Sequence, residues 1–224
     1  MTFQPASAIP RAATALLTTG LLLLGACGST TAPSTTSAAT TATAANAPAA
    51  SPARTPPPRP LPALEMARYL GVWHQVALYP NRFQAQCLDS TTATYSRLDD
   101  GRLRVINRCR TARGMDEAEG VARPRDGAVV GADGWLRPAS LEVSFLPAAL
   151  RWTGIGWGRY DVLQLGPDGT WSLVSEPTRE YLWVLSRTPT LDAAQWAAIE
   201  TRLRAEGFDL QRLRREPAAA AAAR

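Results

Sequence analysis

Few side chains in this sequence could take part in chemistry, and they do not combine into a catalytic set. His74 is the only histidine, so a catalytic triad or a histidine metal cluster would depend on this one residue. We interpret it as a solvent-facing strand residue. The carboxylate pairs Asp99–Asp100 and Glu117–Glu119 are typical of a turn and of a strand face rather than of an acid/base pair. The sequence therefore predicts no enzyme, no metal and no cofactor.

The charge of the chain does not identify a partner. All 24 basic residues are arginine, and the formal net charge is +5. These arginines are scattered, and no glycine-rich phosphate loop follows a predicted strand, so we predict no nucleic-acid partner. We attribute the arginine content to a coding bias.

Cys27 is the residue with a predicted covalent modification. An apolar run over 12–24 follows Arg11 and ends in Leu24-Gly25-Ala26-Cys27. This ending resembles the bacterial lipoprotein box, which implies a signal peptide over 1–26, cleavage before Cys27 and acylation of that cysteine. The alternative is an ordinary secretory signal with a chance cysteine. Two or more acyl chains anchor a protein stably, and Gly28 implies sorting to the outer membrane, with the protein at its periplasmic face.

Composition divides the remainder of the chain into three segments. Residues 27–62 are mostly Ser, Thr, Ala and Pro, which bury too little apolar surface to offset their ordering entropy, so we expect a disordered tether. Residues 63–215 have the length of one domain. Residues 216–224 are mostly alanine, and we expect a disordered tail.

The elements that would position a binding site are eight short strands. They are predicted from Trp73 onward and at 91–97, 102–108, 115–123, 140–146, 159–165, 171–176 and 181–187. Asp99-Asp100-Gly101 predicts a hairpin with a two-residue loop. Short spacings without an intervening helix favour an antiparallel meander. The sequence therefore predicts an all-β fold, an eight-stranded antiparallel up-and-down β-barrel that can hold one small ligand.

One helix is predicted after the strands. Asp192 and Gln195 have the spacing of an N-cap and its reciprocal partner, and Gly207 follows as a stop. The apolar side chains Trp196, Ile199 and Leu203 recur on one face. We expect this C-terminal helix to pack on the outside of the barrel, and we expect residues 208–213 to form a short final strand.

Two sequence blocks resemble the lipocalins, specifically the bacterial outer-membrane lipocalins related to apolipoprotein D. Gly71-Val72-Trp73 matches the family's G-x-W motif, and residues 179–190 match a second bacterial signature. The resemblance implies that Arg187 packs across Trp73, and that the ligand is lipid-like, a fatty acid or a lysophospholipid. The turn at 166–169 and an apparent insertion at 125–137 depart from the family pattern.

Cys87 and Cys109 are the two cysteines left after acylation of Cys27. In an oxidising compartment they are expected to form a disulfide, the alternative being two free thiols. A two-residue loop at Asp100-Gly101 would place Cys109 opposite Thr92, too far along the strand from Cys87. We therefore predict that Cys87 lies in a loop that folds back over the barrel mouth.

Alternation along the strands predicts which residues face a ligand. The set is mostly apolar with a few polar groups, as small-molecule sites are. Our candidate ligand-binding residues are Tyr95, Val105, Asn107, Leu141, Val143, Phe145, Tyr160 and Val162, with Thr91, Ala93, Leu103 and Gln164 on the same faces. The alternative is a filled barrel, in an envelope lipoprotein that binds a protein partner through its mouth loops.

The loop at 147–158 is unusually apolar. It carries Leu150, Trp152, Ile155 and Trp157, and so many apolar side chains on one loop need a partner. They would cap the cavity or dip into lipid headgroups, where Arg151 and Arg159 would meet phosphates; the alternative is a loop folded onto its own barrel. Trp152 and Trp157 are our candidate membrane or portal residues. The oligomeric state stays open, with a homodimer as one alternative.

Overall fold

The computed structural model describes residues 55–217. The predicted signal peptide, Cys27, the tether up to residue 54 and the tail after residue 217 lie outside the described residues. Within 55–217, no helix is both long enough and apolar enough to cross a membrane.

Eight antiparallel strands form one closed barrel, as predicted. They are Gly71–Leu78 (β1), Asp89–Arg97 (β2), Leu103–Thr111 (β3), Gly114–Pro124 (β4), Ser140–Ser144 (β5), Gly158–Leu165 (β6), Trp171–Ser175 (β7) and Leu182–Ser186 (β8). Each strand pairs with the next, and β8 pairs with β1 to close the sheet. Closure pairs the outer edges of β8 and β1, while the upper part of β4, above Val121, has a strand partner on one side alone within the described residues.

The β2–β3 hairpin corrects one prediction by a single residue. Arg97 lies opposite Leu103, and the Leu98 N–H donates to the Arg102 carbonyl at 2.8 Å, which leaves a three-residue loop instead of two. Gly101 makes this possible because it adopts φ +81°, the left-handed conformation that closes such loops. The shift places Tyr95 opposite Val105, so both side chains face the interior.

The predicted helix is present on the outside of the barrel. It spans Ala193–Ala205 (α3) and follows two short helices, Met66–Tyr69 (α1) and Ala148–Arg151 (α2). Its capping box joins Asp192 and Gln195 in both directions, at 2.8 and 3.0 Å. Ile199 and Leu203 are fully buried against outward-facing side chains of β1, β6, β7 and β8. Each such side chain contributes roughly 1.5–3 kcal/mol of burial, so the helix seals one wall of the barrel.

The chain after Gly207 differs from the prediction. A 3₁₀ turn occupies Leu210–Arg212, because the Asp209 side chain accepts a hydrogen bond from the Gln211 N–H at 2.9 Å. The short final strand comes later, at Arg214–Arg215, and pairs with the upper half of β1. Glu216 continues this pairing through a 2.9 Å bond from its N–H to the Val76 carbonyl, so it belongs to the folded domain and not to the tail.

The lower end of the barrel is closed by two additional pieces of chain. One is the short helix Met66–Tyr69 (α1), which leads into β1 through Gly71 at φ +92°. The other is a small sheet of Leu64–Glu65, Val129–Val130 and Trp135–Arg137. The apparent insertion at 125–137 is therefore part of the floor of the barrel.

The last eight residues of the predicted tether lie against the domain. At the upper end, Pro56 accepts a hydrogen bond from Arg179, and the Arg59 N–H donates to Glu206 after α3. Further down, the Leu61 N–H donates to the Val162 carbonyl at 2.8 Å. Leu61 also packs on the interior cluster, so this end of the segment buries apolar surface that the composition of the whole tether obscures.

Candidate ligand-binding site

The floor of the interior is built around Trp73 and Arg187. The guanidinium carbon of Arg187 lies 3.6 Å from the centre of the Trp73 ring. Its nitrogens donate to the carbonyls of Arg68, Leu70 and Val72 at 2.7 to 2.8 Å. Three helix-end and strand carbonyls are thereby satisfied by one planar donor group, which fixes α1 to the first residues of β1.

Three tyrosine hydroxyls meet in the interior above this floor. The Tyr160 hydroxyl lies 2.7 Å from that of Tyr69 and 2.8 Å from that of Tyr95. Burial raises the pKa of Tyr69 to about 12 and also raises the pKa values of Tyr95 and Tyr160, because a phenolate is poorly solvated there. The three groups are therefore neutral hydroxyls at physiological pH. Two contacts use at most two of their three protons, so the cluster keeps donor capacity.

The predicted lining residues divide into two groups. Tyr95, Val105, Leu141 and Val162 are buried together with Thr91, Ala93 and Leu103, and all but Thr91 belong to the interior cluster. Asn107, Val143, Tyr160 and Gln164 are half-buried, and Phe145 is 42% exposed. The structure therefore fills the lower barrel with part of the predicted set, while the other residues keep part of their surface accessible.

The ring of Phe145 lies at the boundary of these two groups, in space that is available because residue 120 is a glycine. A Cβ placed on Gly120 would lie 2.7 Å from the Phe145 ring, closer than real side chains approach. Gly120 lies opposite the inward-facing Val105 on β3. The ring of Phe145 therefore lies over the inner surface of β4, in space that any larger residue at position 120 would occupy.

Aromatic residues outside the predicted set line one side of the upper barrel. Tyr181 and Trp183 stack with their ring centres 5.9 Å apart, and Phe83 lies 5.6 Å from Tyr181. Trp183 and Leu185 face the interior, whereas Leu182 and Val184 pack under α3. The alternation along β8 would have predicted that Trp183 and Leu185 face inward. Sequence reasoning missed these two residues because it assigned them only to the family signature.

A chain of amides ties this aromatic side to the C-terminal strand. Trp183 Nε1 and Gln84 Nε2 donate to the side chains of Gln84 and Gln75, each at 2.8 Å, and Gln75 donates to Glu216. Glu216 makes no ion pair with any basic residue in the described range. Burial raises the pKa of its carboxyl group, partly offset by the hydrogen bonds that it accepts.

The disulfide lies at the upper end. Cys87 and Cys109 are bonded, with their Cα atoms 5.5 Å apart. The Leu88 N–H also donates to the Arg110 carbonyl at 2.8 Å. These contacts fold the loop 79–88 back onto β3, and its Gln84 side chain reaches into the barrel. The loop therefore covers part of the mouth.

The loop after β5 turns outward. Arg123 on the outer face of β4 lies 4.0 Å over the Trp157 ring, and Trp157 Nε1 donates to the Arg151 carbonyl at 3.2 Å. Trp152 is 84% exposed and Ile155 is 71% exposed. Part of this loop thus folds onto its own barrel, while the tip leaves two large apolar side chains in solvent.

The remaining titratable groups in the part of the chain that the structure describes show no catalytic arrangement. Glu119 and Glu117 pair with Arg104 and Arg108 on the neighbouring strand, both at 2.6 Å, and Arg104 lowers the pKa of Glu119 through its hydrogen bond. Burial lowers the pKa of His74. Among residues 55–217, no three His, Cys, Asp or Glu side chains are placed to hold a metal ion.

The sequence was also compared with protein families and with individual relatives. A family model described as a lipocalin-like domain matches residues 64–218. Outer membrane lipoprotein Blc of Escherichia coli (strain K12) is 37% identical over 148 residues, which cover 65% of this chain and 74% of that protein. Temperature-induced lipocalin-1 of Arabidopsis thaliana is 32% identical over 157 residues, covering 69% of this chain and 79% of the plant protein.

Solved structures with the same fold are more distant in sequence. Insecticyanin from the tobacco hornworm Manduca sexta superimposes with a TM-score of 0.53 at 15% identity, over 73% of this chain and 86% of that structure. The cockroach allergen Per a 4 gives a TM-score of 0.52 at 16% identity, over 68% and 87% of the two chains. At such identities the likeness establishes the fold alone.

Proposed function

Because this chain belongs to the lipocalin family, whose members are binding proteins rather than enzymes, we propose that it carries the acyl chain of a fatty acid or lysophospholipid in its upper barrel. The observation that supports this most directly is the half-exposed inner surface above the tyrosines. Val143 and Trp183 pack against the interior cluster and keep part of their surface accessible, and Tyr181 stacks on Trp183. Apolar and aromatic walls with a few polar groups are what a lipid tail requires.

We also propose that the protein is anchored in the outer membrane through acylated Cys27 and works at the periplasmic face. The Escherichia coli relative bears the name outer membrane lipoprotein, and the Leu-Gly-Ala-Cys ending of the leader agrees with it. A lipid carrier held at a membrane can collect and return its ligand without crossing bulk water. This supports a role in storing or moving membrane lipids.

The exposed tip of the loop after β5 supports direct contact with lipid headgroups. Trp152 and Ile155 project into solvent, and Trp152 borders a cavity of about 340 Å³ that Arg102, Arg123 and Arg151 also line. Arg102 and Arg123 pair with Asp100 and Glu142, so Arg151 is the arginine of this set that is outside an ion pair within residues 55–217. Tryptophan is favoured at membrane interfaces, and guanidinium groups bind phosphates. Binding of the Cys27→Ser protein to sedimented vesicles should weaken with Trp152→Ser and stay unchanged with Val129→Ser, which removes another exposed apolar side chain (65% exposed) as a control. Equal binding by both variants would remove the membrane contact.

Native mass spectrometry tests the carrier function itself. The chain from residue 27 onward, carrying Cys27→Ser, should form a one-to-one complex with an oleoyl lysophospholipid or fatty acid at low micromolar concentration. Val143→Arg places a charge on the half-buried inner wall and should abolish the complex, because a desolvated charge is costly. Val129→Arg, on an exposed short strand, should leave it intact.

The filled lower barrel favours one alternative, a lipoprotein whose mouth loops bind a partner protein. The buried cluster already occupies the space that a deep ligand would need. A folded, disulfide-bonded protein that takes up no lipid in the mass spectrometry experiment would overturn the carrier proposal and leave this alternative.

A further inference from the structure

A cavity of about 440 Å³ lies at the rim of the barrel. It is lined by Leu78, Pro80, Asn81, Arg82, Gln84, Ala85 and Arg214. Its position connects it to the interior, because the Gln84 side chain also contacts Trp183 and Gln75 inside the barrel. The buried Leu78 forms an apolar part of its surface. A molecule in the upper barrel would therefore pass close to this cavity on its way out.

Two guanidinium groups in this cavity form no ion pair within residues 55–217. Arg82 and Arg214 make no ion pair and no side-chain hydrogen bond with any residue between 55 and 217, and the lining contains no carboxylate. Other arginines nearby are engaged. Arg215 pairs with Glu200 and lies 4.0 Å over Trp196. The Arg82 guanidinium carbon lies 5.0 Å from the centre of the Phe83 ring. Burial raises the pKa of the Glu216 carboxyl group, and the charge of Arg214 partly offsets this rise without an ion pair between the two side chains. Both arginines therefore keep a positive charge that no direct carboxylate contact within residues 55–217 neutralises.

The fold places both groups at the rim. Arg214 lies opposite Leu78 in the pairing of the C-terminal strand with β1, whereas its neighbour Arg215 lies opposite Ala77 and faces α3. Arg82 begins the 3₁₀ turn of the mouth loop, which is capped by a 3.1 Å bond from the Phe83 N–H to the Asn81 side chain. The alternation of one strand and the cap of one turn therefore bring two distant arginines to the same cavity.

We propose that Arg82 and Arg214 bind the anionic head group of the ligand, a carboxylate or a phosphodiester, while its acyl chain lies in the upper barrel. This proposal rests on the proposed carrier function and names the head-group class that the carrier selects. Guanidinium groups suit it because their paired N–H donors match the oxygen pairs of both anions. The amide side chains of Asn81 and Gln84 line the same cavity and favour a polar group over a hydrocarbon.

Three lipids that share one oleoyl chain and differ in head group distinguish the contribution of the head group to affinity from that of the tail. Oleic acid supplies a carboxylate, oleoyl lysophosphatidylglycerol a phosphodiester, and monoolein a neutral head. Titrated into the chain from residue 27 onward carrying Cys27→Ser, both anions should bind about tenfold more tightly than monoolein, the ratio expected of one charge-assisted contact. Added salt should narrow this ratio, because partly exposed charges are screened. If only one anion is preferred, its chemistry identifies the natural source.

Substitutions assign the preference to the two arginines. Arg82→Gln with Arg214→Gln should reduce both anion affinities about tenfold and leave monoolein within twofold. Arg113→Gln removes the same charge from an exposed turn at the same end of the barrel and should change nothing. The single variants keep the test valid if the double variant fails to fold. Equal binding of the three lipids, or unchanged anion binding by the folded variants, would overturn the head-group proposal while the carrier stands; no binding of any lipid would overturn the carrier as well.

Discussion

The lower and upper halves of the barrel are built differently from the same eight strands. In the lower half, Trp73, Tyr69 and Leu136 are essentially unexposed, and the Tyr69 hydroxyl and the Trp73 indole N–H both make hydrogen bonds. In the upper half, Val143, Tyr181 and Trp183 keep part of their surface accessible. The comparison indicates that stability resides mainly in the lower half and binding mainly in the upper half.

Strand length explains this division. β5 pairs with β4 only from Val121 downward, whereas β3 and β4 continue together up to Thr111 and Gly114. The upper part of β4 therefore lacks a strand partner on its second edge in the described chain. The lower half, in contrast, is covered by α1 and the small sheet. Five tests of this division follow, in order of decreasing expected effect.

Trp73→Ala should be the most destabilising. It removes a fully buried ring and the surface on which Arg187 stacks, so the free energy of unfolding should fall by about 3–5 kcal/mol. Trp152→Ala removes the same side chain from the exposed tip and should change it by less than about 0.5 kcal/mol. Urea unfolding followed by circular dichroism measures both. Comparable losses would contradict the division.

Removing the disulfide should weaken both halves. Cys87→Ser with Cys109→Ser opens a loop with a sequence separation of 22 residues, and the loss should be about 3 kcal/mol because the unfolded chain regains freedom. The loop 79–88 should also loosen, which lowers lipid affinity. Urea unfolding and lipid titration of one preparation test this, and retained affinity would show that the loop shapes the mouth without the bond.

Arg187→Ala should act on stability and not on lipid binding. It leaves three carbonyls without their donor and exposes one face of Trp73, for a loss of about 2–3 kcal/mol. Arg187→Lys should recover only part of this lost stability, because an ammonium group cannot reproduce the planar set of N–H donors of a guanidinium group. The thermal midpoints of the two variants rank them. Full recovery by lysine would mean that charge alone matters.

Tyr160→Phe tests the boundary between the halves. It removes both contacts among the three hydroxyls and leaves those of Tyr69 and Tyr95 with one partner fewer, which should cost about 1 kcal/mol. Lipid affinity should change by less than tenfold if the tail stops above the tyrosines. Isothermal titration decides this, and a larger loss would place a polar part of the ligand on the hydroxyls.

Glu216→Gln should produce the smallest effect and a pH dependence. The folded domain raises the pKa of this carboxyl group, so its contribution to stability is complete below the unfolded pKa of about 4.3 and is lost as pH rises through the folded pKa. The variant should therefore be more stable than the parent at pH 7, by less than about 1 kcal/mol because the group is partly solvated, and equal to it near pH 4. Urea midpoints at both pH values test this sign.

Sequence reasoning reached the strands and the helix because both depend on local periodicity. The alternation of Leu141 and Val143 and the cap at Asp192 need only neighbouring residues to be interpreted. The C-terminal strand was misplaced because two residues form a strand only where β1 offers an edge. Tyr69 was missed for the same reason, since it reaches the interior through the way α1 packs under the barrel and not through strand alternation.

The division of the predicted lining set could not be foreseen from alternation. Val105 and Val143 both face inward, yet one is fully buried and the other half-exposed. The difference depends on how far each strand extends and on what closes the floor. Both are long-range properties, set by the pairing of 64–65 with 135–136 and by the early end of β5.

The path of residues 55–61 determines where a force from an anchor upstream in the chain would be applied to this domain. The segment begins beside Arg179 and Glu206, at the level of the mouth, and descends along the wall to Val162. Any tension from an attachment upstream of Thr55 is therefore applied at the rim and not at the floor. If the chain is anchored at Cys27 as proposed, such a pull would turn the opening of the barrel toward the anchoring surface.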